Sequence, residues 1–288
     1  MASQVSPGVV IRERDLSTGV LTGVSGLRAG FASSFRSGPV GKITNIGSER
    51  ELIDTFGAPA EANAEDWLVA GEFLRYGGQL AVVRAVTTGL LNAASEGGGV
   101  LVGSKEDYDS GAGASEKFIA RTAGADGNNL YVAVVDRGAD WTITKVGHGL
   151  QAGGTYTDDA AVGHEVVQKI DNNTVRIIQG NAVPTPAAGD TAVAFSNSQW
   201  NAQTIGSTGL TYKEIGPRPG TSAFASERYI SYDEMHVAVI DTSTNTVVER
   251  MTYLSKISDA KSPEGSSIYW KDYVNEFSGY IFAGALTS

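Results

Sequence analysis

The sequence predicts a mixed α/β fold of the α+β class, built from short elements joined by glycine-rich turns. Glycine supplies 36 of the 288 residues and proline only 8, which favours tight turns and excludes a long coiled coil or a collagen-like chain. Strand and amphipathic helix patterns alternate between residues 26 and 88, as in a sheet covered by helices. Short strands recur at a spacing of about ten residues between 140 and 198, which predicts a small all-β module.

The charge and composition exclude several classes of function. The chain carries 22 basic and 32 acidic residues, a net charge of −10, which opposes binding to a nucleic-acid backbone. No apolar run reaches the roughly 18 residues that span a membrane, and the first residues lack the pattern of a secretion signal. Cysteine is absent, which excludes disulfides, thiolate zinc sites and cysteine nucleophiles and indicates synthesis in a cytosol.

Residues 1–20 are expected to form an extended N-terminal arm. Val9 to Arg14 has the pattern of a short strand, and Pro7-Gly8 breaks the chain before it. A single strand is not stable alone, so this one must pair with another. Two pairings stay open: it is the first strand of its own domain, or it is donated to a neighbouring subunit.

Residues 21–90 are predicted to be the first part of an α/β domain. Ser48 and Glu51 form a capping-box pattern that begins a helix, and Gly57 stands where a helix C-cap glycine belongs. A longer helix begins near Asn63, with apolar residues at helical spacing from Trp67. Strands are predicted at 30–35, 42–46 and 80–86.

The remaining chain is predicted to form one more domain interrupted by an insertion. Residues 91–115 are interpreted as a Gly-rich linker that buries little, and 140–198 as the inserted β module. Residues 116–139 and 199–288 supply the domain, whose ordered core is expected to continue beyond the chain end. Its predicted elements are strands at 117–121 and 129–136 around the turn pair Asp126-Gly127, a hairpin at 236–251, a helix at 267–275 and a strand at 280–282.

The sequence offers no convincing catalytic or metal site. The three histidines lie far apart, and His236 is predicted to be a satisfied core or edge residue and His148 a turn residue. Gly38 to Lys42 fails the spacing of a phosphate loop. Asp158-Asp159 is interpreted as a solvated pair rather than an acid/base pair. We therefore expect no enzymatic activity and no cofactor.

Several motifs in a fixed order resemble contractile tail sheath proteins of myophages, in their N-terminal and outer portion. The arm resembles the opening of these proteins, and later segments resemble their F-x-x-G-P, D-x-F-G-x-P, Y-G and A-x-x-x-G-x-x-G-N motifs. The arm residues that carry the resemblance are Pro7, Gly8, Val9, Val10, Ile11, Arg12 and Glu13. The later signature residues are Gly38, Pro39, Phe56, Gly57, Pro59, Tyr76, Gly77, Arg84, Gly124, Gly127 and Asn128.

The resemblance implies a sheath-type, multi-domain structural protein. Such proteins assemble as a helical sleeve of hexameric rings around the tail tube and contract without consuming a nucleotide. The implied partners are other sheath subunits, the tail tube protein, the baseplate and the tail terminator, with no nucleic acid and no membrane insertion. The implied location is the virion tail, after assembly in the host cytoplasm. The 140–198 module lies outside the matched motifs.

Two alternative functions stay open, and the chain differs from sheath proteins in one respect. The chain could instead be a carbohydrate-binding or hydrolytic β module of a virion, or the sheath of a related contractile injection system. Sheath proteins also carry a large C-terminal domain, and this chain ends before it. We therefore expect a truncated, partly retained or split sheath chain that forms a monomer or small oligomer and no tubes by itself.

Overall fold

The structure is a computed structural model that describes residues 27–95 and 98–284. The N-terminal arm therefore lies outside the described residues. The mixed α+β class is confirmed, since helices and four separate sheets are present. The helices are α1 (Glu49–Phe56), α2 (Ala64–Arg75), α3 (Lys105–Asp109), α4 (Asn197–Asn201), α5 (Ala223–Ser226) and α6 (Trp270–Phe277). The strands are β1 (Arg28–Ser33), β2 (Ile43–Ile46), β3 (Gln79–Arg84), β4 (Phe118–Ala120), β5 (Leu130–Asp136), β6 (Trp141–Thr144), β7 (Thr155–Thr157), β8 (Gly163–Lys169), β9 (Thr174–Ile178), β10 (Thr191–Ala194), β11 (Glu234–Asp241), β12 (Thr246–Ser255) and β13 (Ile281–Ala283).

The first sheet has the strand order β1-β3-β2 and is covered by α1 and α2 on one face. β1 runs parallel to β3, and β2 runs antiparallel to it. The two predicted helices and their spacing are confirmed, because Trp67, Ala70, Gly71 and Leu74 are the buried positions of α2. They pack with apolar side chains of α1 and β3 in one core.

The second sheet has the order β12-β11-β5, and the predicted hairpin is confirmed as β11 and β12, which meet at Asp241 and Thr246. Helix α6 packs on this sheet through Trp270 and Val274. β4 and β5 do not pair with each other across the Asp126-Gly127 turn, because a 3-10 turn at Ala125–Asn129 directs them into different sheets.

The strand predicted near the end of the chain is present as β13, one residue later than expected. β13 pairs antiparallel with β4, and all three of its residues are buried. The interpretation of 91–115 as a linker that buries little misses contacts that tie the segment to the domain. Asn92 and Val102 are buried, and the Asn92 side chain accepts from the Val102 N–H at 2.8 Å and donates to the Ala120 carbonyl at 2.8 Å.

The glycine count misled that interpretation, because a few apolar side chains suffice to fix the segment. The hydroxyl of Tyr108 in α3 donates to the Ala283 carbonyl at 2.6 Å, and its ring stacks on Phe282 at 4.4 Å between centroids. Between β10 and β11 the chain also forms the short helices α4 and α5, which the sequence analysis did not predict.

The third sheet contains only strands from residues 141–194, in the order β10-β6-β9-β8-β7. Its neighbouring strands are all antiparallel, and it has its own core around Ile143, Val166 and Ile177. We call these strands and their loops the β module. Trp141 pairs with Ala194, so the incoming and outgoing connections lie side by side. An insertion with adjacent ends adds little loop-closure entropy to the host domain.

Candidate functional site

The signature residues first meet where α1 ends. Ser48 caps the helix, since its Oγ accepts from the Glu51 N–H at 3.2 Å, and the Glu51 carboxylate accepts from the Gly47 N–H at 2.8 Å. Gly57 ends the helix with a φ of 82°, and its N–H donates to the Ile53 carbonyl at 2.9 Å. A left-handed φ at this position favours glycine.

Gly38 allows the loop after β1 to lie against the end of α1. Its φ is 93°, and a Cβ at this position would lie 2.7 Å from Cδ1 of Phe56 and 2.8 Å from the Thr55 carbonyl. Neither distance leaves room for a side chain. The buried ring of Phe56 therefore needs a glycine at 38, which joins two signature segments that are 18 residues apart, counted from 38 to 56.

Arg84 binds the same loop from the end of β3. It lies on the buried face of the strand after Leu80 and Val82, and only 2% of it is exposed. Among the residues that the structure describes, its guanidinium donates four hydrogen bonds to backbone carbonyls and none to a carboxylate. The acceptors are Phe35 at 2.6 Å, Arg36 at 2.8 Å, Gly38 at 3.1 Å and Ala123 at 2.7 Å.

We call Arg84 and these four carbonyls the Arg84 junction. Burial lowers the pKa of Arg84 from its ordinary value, and the charge of Asp126 opposes this shift. The guanidinium stays protonated at neutral pH. Its planar fork reaches several acceptors at once, which a lysine ammonium does not. The junction fixes the loop at 35–38 to the segment that begins at Ala123.

The segment after Ala123 supplies two further signature glycines. Gly124 has a φ of 122°, and a Cβ there would lie 3.4 Å from Nη2 of Arg84. Gly127 is buried, and a Cβ there would lie 2.8 Å from the Cβ of Ala120. Gly127 therefore allows close packing on Ala120, whereas Gly124 is favoured by its left-handed backbone.

An exposed ion pair lies over the junction. Arg36 donates to both oxygens of Asp126, at 2.5 and 2.7 Å, with side chains that are 58% and 45% exposed. The hydrogen bond from Arg36 holds the pKa of Asp126 below its usual range. Pairs with this exposure contribute little to stability, about 0.2–1 kcal/mol.

Of the other signature residues, Pro39 is half-buried in the loop after β1, and the remaining four lie on the surface. Pro59, Gly77 and Asn128 are exposed, and Tyr76 is 82% exposed. None of the four exposed residues accepts a hydrogen bond from Arg84. The sequence therefore predicted a set of residues, of which Gly38, Phe56, Gly57, Arg84, Gly124 and Gly127 come together and the exposed ones do not.

A second arginine, Arg218, is half-buried and binds the connections of the β module. Its Nε donates to the Arg137 carbonyl at 2.8 Å, its Nη1 donates to the Phe195 carbonyl at 3.1 Å, and its Nη2 donates to the Ala139 carbonyl. Asp140 lies 3.7 Å from the same guanidinium. We call this set the Arg218 junction. Sequence reasoning missed it, because only proline and glycine neighbours mark the position of Arg218.

The histidines have structural roles. The prediction for His236 is confirmed: it is buried, its Nδ1 accepts from the Tyr253 N–H at 3.0 Å, and its Nε2 lies 2.7 Å from the Pro217 carbonyl. Because a carbonyl only accepts, Nε2 carries the proton. His148 lies beside a turn and binds backbone groups of Leu150 and Asp171, as predicted for a turn residue.

The interpretation of Asp158 as a solvated residue is wrong. Its side chain is fully buried in the β module and accepts from the N–H groups of Val162 and Thr185, each at 2.8 Å. The ring of His164, also fully buried, lies 3.3 Å from the Asp158 carboxylate. The Thr185 hydrogen bond is the largest effect that holds the pKa of Asp158 below its usual range, and burial opposes it.

These two backbone hydrogen bonds satisfy the buried carboxylate of Asp158. The carboxylate joins the loop between β7 and β8 to the segment at Thr185 by accepting a hydrogen bond from each. Arg84 and Arg218 join their own loops in a similar way, by donating to backbone carbonyls. Among residues 27–95 and 98–284, no cluster of His, Cys, Asp and Glu could hold a metal ion. In the same ranges, no helix is long and apolar enough to cross a membrane.

Comparison with known proteins confirms the resemblance to tail sheath proteins. The chain is 26% identical to the tail sheath protein of Salmonella phage ViI over an alignment of 331 positions, which covers all of this chain and 51% of that protein. It is 37% identical over 82 residues to the tail sheath protein of Enterobacteria phage T4, and 35% over 80 residues to that of Vibrio phage KVP40. Each of these two shorter alignments covers 28% of this chain and 12% of the relative.

The alignments also set the extent of the likeness. The chain spans about half the length of the Salmonella phage relative and smaller shares of the other two. The longest alignment runs through the whole chain, so it includes residues 140–198, which the motif resemblance left outside. The chain matches no protein-family profile.

Proposed function

We propose that the chain is a structural subunit of a phage contractile tail sheath. It assembles with copies of itself as a helical sleeve of stacked rings around the tail tube, and the sleeve contracts to drive the tube through the host envelope. The observation that carries the proposal is the alignment of the whole chain with a tail sheath protein. A carbohydrate-binding or hydrolytic module is not favoured, since the relatives are named as tail sheath proteins.

The Arg84 junction suits this function. A sheath that changes length keeps its subunits folded while the contacts between them change, so each subunit must behave as a stiff body. Arg84 ties the loop at 35–38 to Ala123 with four charge-assisted hydrogen bonds. Such bonds are roughly twice as strong as neutral ones, which supports a body that transmits force without local opening.

The proposal includes partners and mechanism. The partners are other sheath subunits, the tail tube, the baseplate and the tail terminator, and the sheath is assembled in the host cytoplasm. Contraction uses the difference in free energy between two packings of the same subunits, so the chain performs no catalysis and needs no cofactor. The N-terminal arm is proposed to pair with a neighbouring subunit. Deletion of residues 1–16 should then leave the melting temperature unchanged and weaken assembly.

Antibody labelling of the phage particle tests the proposal. Antibodies against the purified chain, bound to gold and viewed by electron microscopy, should label the tail along its whole length in the extended and contracted states. Antibody that is first absorbed with the purified chain is the control and should not label. Label confined to fibres or to the baseplate would contradict a sheath role and support a host-binding module.

A further inference from the structure

Strand β12 contains a β-bulge opposite His236. The register of β11 on β12 shifts between Met235 and Val237, and Tyr253 in the bulge has a left-handed φ of 58°. Residues with side chains rarely adopt this conformation, and a bulge leaves an extra residue without a partner in the strand ladder. The Tyr253 N–H therefore needs an acceptor other than the backbone of β11.

The ring of His236 supplies that acceptor and also reaches another segment of the chain. Its Nδ1 accepts from the Tyr253 N–H at 3.0 Å, and its Nε2 donates to the Pro217 carbonyl at 2.7 Å. The ring is fully buried and lies edge-on to Trp200 and Tyr253, at 6.2 and 4.9 Å between ring centroids. We call the His236 ring, the Tyr253 N–H and the Pro217 carbonyl the His236 clasp.

The His236 clasp is continuous with the Arg218 junction. Pro217 has no N–H, so its carbonyl is its one backbone group that forms a hydrogen bond. Arg218 follows directly in the chain and donates to carbonyls on both connections of the β module. The clasp therefore fixes the segment from which Arg218 holds the β module.

We propose that His236 is an acid-sensitive latch that controls how firmly the β module is held on its domain. An imidazole ring with two protons has two N–H donors and no acceptor. A second proton on His236 therefore sets a ring N–H against the Tyr253 N–H, and these two donors repel each other. The clasp opens, the segment at Pro217 loosens, and the β module becomes free to reorient. The inference goes beyond the proposed function and does not depend on it.

The surroundings of the ring do not favour a second proton. On the ring's side, the elements around it carry these titratable and charged side chains: Tyr212, Arg218, Glu234, Arg250, Tyr253 and, after β5, Arg137. Among the residues that the structure describes, none of these side chains forms a hydrogen bond or an ion pair with the ring. The Glu234 carboxylate instead accepts from the Gly220 N–H at 2.7 Å, so the segment stays attached at that end when the clasp opens.

The other two histidines differ from His236 in what surrounds them. In all three, Nδ1 accepts from a backbone N–H. His164 lies 3.3 Å from the Asp158 carboxylate, whose charge favours a second proton on the ring. His148 is only half-buried, so water reaches its contacts. His236 alone of the three combines full burial with a carbonyl acceptor, and a second proton there must open the structure.

Hydrogen exchange across a pH series tests the latch. The Tyr253 amide reports on the clasp, and the Phe195 amide, which donates to the Asp140 carbonyl at 2.7 Å, reports on a connection of the β module. A free imidazole takes up its second proton near pH 6.5, so opening should become about tenfold more favourable for each pH unit below that value. Protection of the Tyr253 amide, measured relative to its intrinsic rate at each pH, should fall about tenfold per unit from pH 6.5 to 5. Protection of Phe195 should fall over the same range, while Val175 in the module's own core should keep its protection.

Three variants separate the steps of the proposal. His236→Asn retains a side-chain acceptor and donor but does not titrate, so both amides should lose their dependence on pH. His148→Asn, the same change at the half-buried histidine, should retain it. Arg218→Met should lower the protection of Phe195 at neutral pH and remove its acid dependence, while the acid dependence of Tyr253 remains.

The ring itself gives a second measurement, which holds if His236→Asn does not fold. NMR shifts of the ring nitrogens of the unmodified chain should show a proton on Nε2 alone above pH 6.5, and a second proton only as Tyr253 loses protection. A doubly protonated His236 beside a protected Tyr253 amide would overturn the proposal. Constant protection of Tyr253 from pH 7 to 5, or an acid dependence that survives in His236→Asn, would do so too. A fall at Tyr253 without one at Phe195, or an equal fall at Val175, would reject control of the β module by this histidine.

Discussion

Arg84 and Arg218 each bind backbone carbonyls of segments that are distant in sequence, but they stand in different surroundings. Arg84 is 2% exposed and lies beside the core that α1 and α2 form on the first sheet. Arg218 is half-buried and lies where the β module, with a core of its own, joins the second sheet. Hydrogen bonds from an arginine to backbone carbonyls therefore join two loops beside the first core at Arg84, and they join the two connections of the β module at Arg218.

The charge around the two guanidinium groups also differs. The Arg84 junction contains only carbonyl acceptors, whereas Asp140 lies 3.7 Å from Arg218 and the ring of Phe195 lies 5.3 Å from its Cζ. Loss of Arg84 leaves buried carbonyls without donors, while water reaches the Arg218 junction more easily. We therefore expect the Arg84 junction to contribute to global stability and the Arg218 junction to the orientation of the β module.

Removal of the Arg84 guanidinium should have the largest effect. Arg84→Met should lower the free energy of unfolding by about 4 kcal/mol, because the buried carbonyls of Phe35 and Ala123 are left unsatisfied at roughly 1–3 kcal/mol each. The part-buried carbonyls of Arg36 and Gly38 add less. Urea unfolding measures the change. Arg84→Lys should lose at least half as much, since one ammonium does not reach all four acceptors.

Arg75→Met is the matched control for Arg84. Arg75 is exposed and pairs with Glu72 on the surface of α2, so its loss should change stability by about 0.5 kcal/mol or less. An unfolding midpoint for Arg84→Met that equals that of this control would reject the role of the Arg84 junction.

Removal of the Arg218 guanidinium should loosen the β module without unfolding it. In Arg218→Met, hydrogen exchange should accelerate at the Phe195 amide, which donates to the Asp140 carbonyl at 2.7 Å. Amides of β9 should keep their protection, because Val175 and Ile177 lie in the module's own core. Arg250→Met, at an exposed residue of β12, is the control. Equal loss of protection in β9 would show that the module depends on the junction for folding.

Local patterns in the sequence were enough to predict the elements of the first domain, but they did not indicate its long-range contacts. Ser48, Glu51 and Gly57 act on neighbours in the chain, so their capping roles could be predicted. The acceptors of Arg84 lie 39 to 49 residues away, and no short-range pattern indicates them. The one available signal was that Arg84, although charged, continues the alternation of buried residues that Leu80 and Val82 begin in β3.

The same limit explains the error at Asp158. Two adjacent aspartates in a polar loop resemble a solvated pair, but the donors from Val162 and Thr185 come from two turns that only the folded sheet brings together. The burial of residues 91–115 was missed for the same reason, since Tyr108 packs against β13, far along the chain.

Acid should weaken the β module through Asp158. The pKa of Asp158 is lower in the folded chain than in the unfolded one, so its stabilising contribution is present above the unfolded pKa and is lost as pH falls through the folded pKa. Protection of the Val175 amide against hydrogen exchange, measured relative to the intrinsic exchange rate at the same pH, should therefore fall below about pH 4. Asp158→Asn should be less stable at neutral pH and lose this acid dependence, whereas Asp159→Asn, at the exposed neighbour, should behave like the unmodified chain.

The smallest effect is expected from Asp126, and it tests whether Arg84 depends on a carboxylate. Asp126→Asn breaks the exposed pair with Arg36 and removes the charge that opposes the lowering of the Arg84 pKa. If the four carbonyls hold Arg84, stability should fall by only about 0.5 kcal/mol, and the difference should shrink further in high salt, because exposed pairs are weak and screened. Because Arg36 lowers the pKa of Asp126, the difference should also vanish as pH falls through that pKa. Urea unfolding at low and high salt measures both effects. A loss close to that of Arg84→Met would mean that the Arg84 junction, like the Arg218 junction, depends on a neighbouring carboxylate.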